Sequence, residues 1–248
     1  MKKAKFFITA SVLLASATVF QSCLDNDDDG TDALRFPTAI VTVCPQTNGG
    51  FVMQLDDKTT LYPTNKKESP FGAKEVRALV NYTDDNTSEK SNDGVRGVYV
   101  NWIDSIRTKY PVVSLGAEDD KTYGNDPVEI VRDWVTVAED GYLTLRFRTL
   151  WGPGRNPHFL NLVSGINPDD PFELEFRHDA KGDTYGSYGD ALIAFNLNEL
   201  PRTGEGPVKV KLHWNSFTGK KTAEFSLQLR PHIDSDEAAK LIPAASIK

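Results

Sequence analysis

The sequence predicts an all-β protein: an N-terminal OB-like five-stranded barrel followed by a C-terminal seven-stranded antiparallel β-sandwich. Three observations predict it. Runs rich in Val, Ile, Thr, Tyr and Phe recur at short intervals between Gly, Pro, Asn and Asp, the pattern of short strands joined by turns. No segment beyond residue 22 carries a clean helical apolar period. The chain has 248 residues, and without its first 22 it keeps 226, room for two domains of about 100 residues each. Hydrophobic residues make up 39% and charged ones 25%, which excludes a disordered or fibrous chain.

The barrel is expected over 36–115, with strands at 36–44, 50–55, 59–63, 76–83 and 97–107. Asn48-Gly49-Gly50 and Asp56-Asp57-Lys58 supply turns between the first three, which start as a meander. Five short strands opened by a meander suit a small OB-like barrel, and periodicity alone does not choose it over an SH3-like barrel. Cys44 ends the apolar run from Ala39 and reads as a buried structural thiol. Residues 116–127 are polar, with two Gly and one Pro, and read as the interdomain linker.

The sandwich is expected over 128–231, with strands at 128–137, 141–150, 158–165, 171–179, 189–197, 207–214 and 221–230. Asp140-Gly141 makes a tight hairpin between the first two. Alternation along Val208, Val210, Leu212 and Trp214 places these side chains on one face. Trp134 and Trp214 both fall in such strands and are expected in the core. Residues 232–248 form an Asp- and Ala-rich tail, expected to fray.

The N-terminus carries an address. Lys2, Lys3 and Lys5 precede an uncharged apolar or small stretch from Phe6 to Phe20, the plan of a secretory signal over residues 1–22. It ends in Phe20-Gln21-Ser22-Cys23, a small residue directly before a cysteine, which resembles a bacterial lipobox. Cys23 is then the lipidation site and the anchor to outer-membrane lipid, since several acyl chains hold stably at roughly 0.8 kcal/mol per buried CH₂. Asp25, Asp27, Asp28 and Asp29 follow in an acidic tether over 23–35 and resemble the surface-export signal of Bacteroidetes lipoproteins. Asp25, Asp27, Asp29 and Gly30 also mimic the start of an EF-hand loop, but Phe36 stands where the bidentate Glu must be, so calcium is excluded. With Cys23 lipidated, only Cys44 remains, and an intramolecular disulfide is impossible. Loss of the three signal lysines leaves 25 basic against 35 acidic residues, a net −10 that argues against nucleic acid as a partner.

A lipoprotein signal, a five-stranded half and a seven-stranded half carrying Gly141-Tyr-Leu-Thr-Leu-Arg-Phe147 and His158-Phe-Leu-Asn-Leu-Val163 together resemble the NigD-like lipoproteins of Bacteroidetes. The resemblance spans nearly the whole mature chain. It implies an N-terminal OB domain, a C-terminal β-sandwich domain and an accessory or immunity role. It implies no catalytic residue.

The residues themselves propose no reaction. No G-x-S-x-G elbow, C-x-x-C or H-E-x-x-H occurs. His158 reads as a locally bonded strand residue. His178, Asp179 and Asp183 read as a solvated turn and not as a metal site. Glu173 and Glu175 read as the wet face of a sheet. No catalytic group, metal or cofactor is therefore assigned. Trp151 opens a Gly- and Pro-rich segment and, with Tyr185 and Tyr188, offers a ligand platform of the kind that stacks on sugar rings. The expected function is that of a non-enzymatic accessory or protein-interaction module, lipid-anchored at the outer membrane and facing the exterior, with an envelope protein as partner. A glycan-binding lipoprotein is the alternative, and a bacteriocin-immunity protein the lesser one.

Overall fold

A computed structural model describes residues 35–47, 49–87, 94–154, 156–204 and 206–230. The expected signal, most of the tether, and the tail lie outside the described residues. The first five strands are β1 (Ala39–Pro45), β2 (Phe51–Gln54), β3 (Thr60–Pro63), β4 (Val76–Asp84) and β5 (Val95–Ser105). They close into a barrel in the order β1-β2-β3-β5-β4, with β3 and β5 parallel and the other pairs antiparallel. Val41, Val43, Met53, Leu61, Ala78, Val80, Val98 and Val100 fill it, alternate residues of each strand pointing inward. β1 departs from that alternation, because Ile40 and Thr42 on its outer face are buried as well. The cover is the second domain.

The chain enters that domain at buried Ile106, before the expected linker. β6 (Arg107–Lys109) and β7 (Val112–Val113) already belong to the two sheets of the sandwich. The segment expected as a linker holds a 3-10 turn (Gly116–Glu118) and a short helix α1 (Asp119–Tyr123) set against the sandwich. Part of its polarity is bonding: buried Asp119 accepts from Ser114 Oγ and the Leu115 N–H, each at 2.6 Å, and Asp120 pairs with Arg177.

The rest of the sandwich is β8 (Glu129–Val131), β9 (Val137–Glu139), β10 (Tyr142–Trp151), β11 (Phe159–Ser164), β12 (Glu173–Asp179), β13 (Ser187–Asn196), β14 (Val208–Ser216) and β15 (Gly219–Leu227). One sheet runs β6-β13-β10-β8 with β9 also on β10, and the other runs β15-β14-β12-β11-β7. The expected architecture is present, with three added edge pieces and with parallel pairing of β6 to β13, β7 to β11 and β12 to β14. Asp140 and Gly141 form the expected two-residue hairpin, both at positive φ (52° and 73°), as a type I′ turn requires. Phe147, Phe176 and Phe195 meet edge to face between the sheets, beside Leu145, Leu174, Val210 and Trp214.

One strand expectation is corrected. The single strand 128–137 is split, because the Asp133 carboxylate accepts the Val135 N–H and holds the chain in a turn. The turn rotates Trp134 outward, so it is 56% exposed, while Trp214 is buried as expected.

Barrel and sandwich meet around a fully buried arginine. Arg77, on the outer face of β4, donates to Thr42 Oγ1 at 3.0 Å, Thr144 Oγ1 at 3.3 Å and Glu139 Oε1 at 2.8 Å. Its guanidinium also lies 5.6 Å from the centroid of the buried Tyr142 ring, and that of Arg230 lies 5.5 Å from it. Tyr142 donates its hydroxyl to Glu75, and Arg230 bridges Glu75 to Asp140. Ile40, Ile106, Val135 and Ala194 pack beside this network, and full burial of such aliphatic side chains contributes roughly 1.5–3 kcal/mol each for the larger ones.

Two outcomes follow from this packing. Arg77→Ala leaves the half-buried Glu139 carboxylate without its partner and should cost about 3 kcal/mol, read as a lower urea midpoint, with barrel and sandwich no longer unfolding in one transition. Glu173, on the wet face of β12, takes hydrogen bonds from Asn167, Lys211 and His213 that hold its carboxyl down at about 2. A depressed carboxyl stabilises the fold above its unfolded value, and that contribution is lost as pH falls from about 4.5 through about 2. Across that window the urea midpoint of Glu173→Gln should fall less than that of the parent.

Candidate functional site

The expected platform lies at the end of the sandwich away from the barrel. Trp151 closes β10 there, and β13 begins beside it. Register separates the three aromatics: Leu150 pairs with Tyr188 and Trp151 with Ser187, so Trp151 and Tyr188 project from opposite faces of the sheet. The Trp151 indole turns inward against the sandwich core and donates its N–H to the Gly189 carbonyl at 3.1 Å. A Cβ at Gly189 would stand 2.6 Å from the indole, so only glycine admits this approach. Tyr185 and Tyr188 are 63% and 62% exposed. The three do not form one surface. Tyr188 instead meets Phe217 edge to face at 5.4 Å, a partner from the β14–β15 turn that sequence spacing could not offer.

Beneath lies a buried polar row. His158 stacks on Trp151 with centroids 4.2 Å apart, and its Nδ1 is 2.8 Å from Nε2 of His178. His178 Nδ1 is 3.1 Å from the Pro127 carbonyl. His158 Nε2 is 3.5 Å from Asp183 Oδ2, and both side chains are almost fully buried. Burial pushes the His178 imidazole below its ordinary value. The expected solvated turn is thereby corrected. His178 and Asp183 are folded inward, because the Ala180 N–H bonds Asp126 and the Asp183 N–H bonds the Ala180 carbonyl, which curls the turn over the sandwich end. Among the described residues, no group of three or more His, Cys, Asp or Glu side chains could hold a metal ion.

A second candidate lies where barrel and sandwich meet. A groove of about 480 Å³ opens between the chain entering β1, the face of β4 and the edge of the β13 sheet. Leu79, Val135 and Leu192 line it with apolar surface. Phe36, 70% exposed, and Trp134 also line it. On one side Arg146 reaches both Asp133 at 2.6 Å and Asp190 at 2.7 Å, and Arg148 adds a further bond to Asp190. That volume falls within the range of ligand-sized clefts. Sequence reading misses this site because it places Trp134 in a strand. The Asp133 side chain before it is the signal that a turn interrupts the alternation.

The remaining expected positions are quickly placed. Cys23, Asp25, Asp27, Asp28 and Asp29 lie outside the described residues. Cys44 sits at the barrel edge, 3.7 Å from Glu75, and burial followed by the Glu75 charge pushes its thiol up to about 12. No helix among the described residues is long and apolar enough to cross a membrane.

Comparison with known proteins adds the following. Residues 40–106 match the NigD-like N-terminal OB domain, and residues 111–227 match the NigD-like C-terminal beta sandwich domain. The chain is similar to a crystal structure from Parabacteroides distasonis that carries the name toxin-related protein. That similarity is 35% identity over 77% of this chain and 92% of that one, with a TM-score of 0.63. It shares its fold with a NigD-like immunity protein from Bacteroides caccae, at 18% identity over 75% and 90% of the two chains and a TM-score of 0.52. A protein from Bacteroides fragilis named as a lipoprotein has the same fold, at 11% identity over 79% and 98% and a TM-score of 0.52. No curated protein matches the chain significantly.

The Cys44 thiol, held above its ordinary value, is a poor nucleophile at neutral pH. At neutral pH a maleimide should label it far more slowly than a free thiol, with rapid labelling restored in denaturant. Fast labelling of the folded protein would contradict its placement.

Proposed function

The chain belongs to the NigD-like family, and from that membership and the groove at the domain junction we propose that it is a lipid-anchored interaction module of the outer membrane without enzymatic activity. Trp134 carries the reading. A tryptophan more than half exposed, on an apolar groove with a polar flank, is the composition of a protein-binding hot spot. Leu79, Val135 and Leu192 suit one apolar side chain of an envelope protein, and Arg146 and Asp190 suit the polar groups flanking it. Acylation at Cys23 holds the module at the membrane, and the aspartates that follow direct it to the outer face.

A photo-crosslinker placed at residue 38, on the groove wall, tests this in intact cells. The expected result is one stoichiometric envelope protein, lost with Trp134→Ala, and release of the protein from the membrane fraction with Cys23→Ser. Unchanged crosslinking in Trp134→Ala removes the groove from the reading. Absence of any crosslinked partner removes the interaction module. A second reading, glycan binding, is favoured by exposed Tyr185 and Tyr188 with Phe217 beside them. A glycan array probed with the parent and with Tyr185→Ala/Tyr188→Ala decides it: binding lost in the double variant supports that reading, and a blank array ends it.

A further inference from the structure

Four groups in the sandwich end form a continuous row: the Pro127 carbonyl, His178, His158 and Asp183. Donors and acceptors along it can be assigned from one end. The Pro127 carbonyl only accepts, so His178 Nδ1 carries a hydrogen. Burial pushes the His178 imidazole below its ordinary value, which favours the neutral ring with its Nε2 as an acceptor. His158 Nδ1, 2.8 Å away, must then be the donor between the two rings. A neutral His158 would have a bare Nε2, and that atom faces Asp183 Oδ2 at 3.5 Å. With Asp183 ionised, two lone-pair acceptors would be opposed, in a place where neither atom finds another hydrogen-bond partner among the described residues.

We infer that this pair is a proton-binding site: one proton is held between His158 Nε2 and Asp183 Oδ2, making either an imidazolium facing a carboxylate or a neutral imidazole facing a carboxylic acid. No water fits between atoms 3.5 Å apart, so a proton placed there has only these two atoms to hold it. The other charged groups near the row are already engaged. Asp126 accepts the Ala180 N–H, and Asp179 pairs with Lys181. The indole of Trp151, stacked on His158, covers one face of the ring, and such a face favours an imidazolium over a neutral ring. The proton ties the turn that carries Tyr185 to the start of β11 and the end of β10, so it holds the exposed tyrosines over a closed sandwich end. Without it, the opposed acceptors would part and the turn would lift.

Nitrogen NMR of the ¹⁵N-histidine-labelled full chain at neutral pH, with carbon NMR of the Asp183 carboxyl, reads the proton directly. The expected spectrum shows both His158 ring nitrogens protonated, or a protonated Asp183 carboxyl against a bare Nε2. Either places one proton in the pair. A bare Nε2 opposite an ionised Asp183 overturns the proposal. Asp183→Asn supplies a hydrogen from its own amide and should stay folded. In that variant, loss of the protonated Nε2 signal is expected if the parent shows one, and a retained signal would show that Asp183 does not hold the proton. Asp183→Leu supplies no hydrogen, and it should raise the amide-exchange rate of residues 183–187 well above that of the Asn variant; equal rates in the two variants would overturn the tie between proton and turn.

Discussion

The buried guanidinium of Arg77 is the constraint on which the two-domain arrangement depends. A charge removed from water must be surrounded by partners in good geometry. Arg77 finds one partner in its own barrel, Thr42, and two in the sandwich, Thr144 and Glu139. None of these sets is complete alone. Separated, the barrel would expose a cation with one hydroxyl bonded, and the sandwich would expose a carboxylate that burial has pushed up from its ordinary value. The interface is therefore specified by polar satisfaction, and the aliphatic cluster of Ile40, Ile106, Val135 and Ala194 adds area to a register that Arg77 sets.

That constraint explains a pattern in the sequence that strand alternation alone does not. Ala39 to Val43 reads as a continuous apolar run, as in a strand buried on both faces, although barrel strands of this size usually show one wet face. The outer face is dry because it lies on the sandwich. The barrel strands and the 208–214 alternation were legible because each depends on local pattern. The domain boundary was not legible. Residues 116–127 look like a solvated linker, yet Asp119 and Asp120 are spent on hydrogen bonds and an ion pair within the sandwich, and composition does not distinguish a bonded aspartate from a hydrated one.

The candidate sites divide in the same way. Tyr185 and Tyr188 were found because they sit in a Gly-rich stretch, and exposure there follows from local turn chemistry. Trp151 failed as their companion because one residue of register reverses the face, and register is set by pairing with Ser187 across 36 positions of chain. Trp134 was misplaced by the converse error: alternation continued on paper through a turn that the Asp133 side chain imposes. The row from Pro127 to Asp183 joins residues from four segments, and only folding assembles it.

The groove gains its meaning from the junction rather than from its own residues. Each side alone is ordinary: Leu79 on a barrel strand, Leu192 on a sandwich strand, an arginine bridging two aspartates. Arg77 and Leu79 are neighbours on the outer face of β4, two residues apart, so the arginine that satisfies the interface also sets where the groove wall stands. Arg146 and Asp190 are already bonded to one another before any partner arrives, so little side-chain ordering remains to oppose binding. A groove built across two domains in this manner takes its shape from the buried interface and its chemistry from what the interface leaves exposed, which here is Trp134 and Phe36.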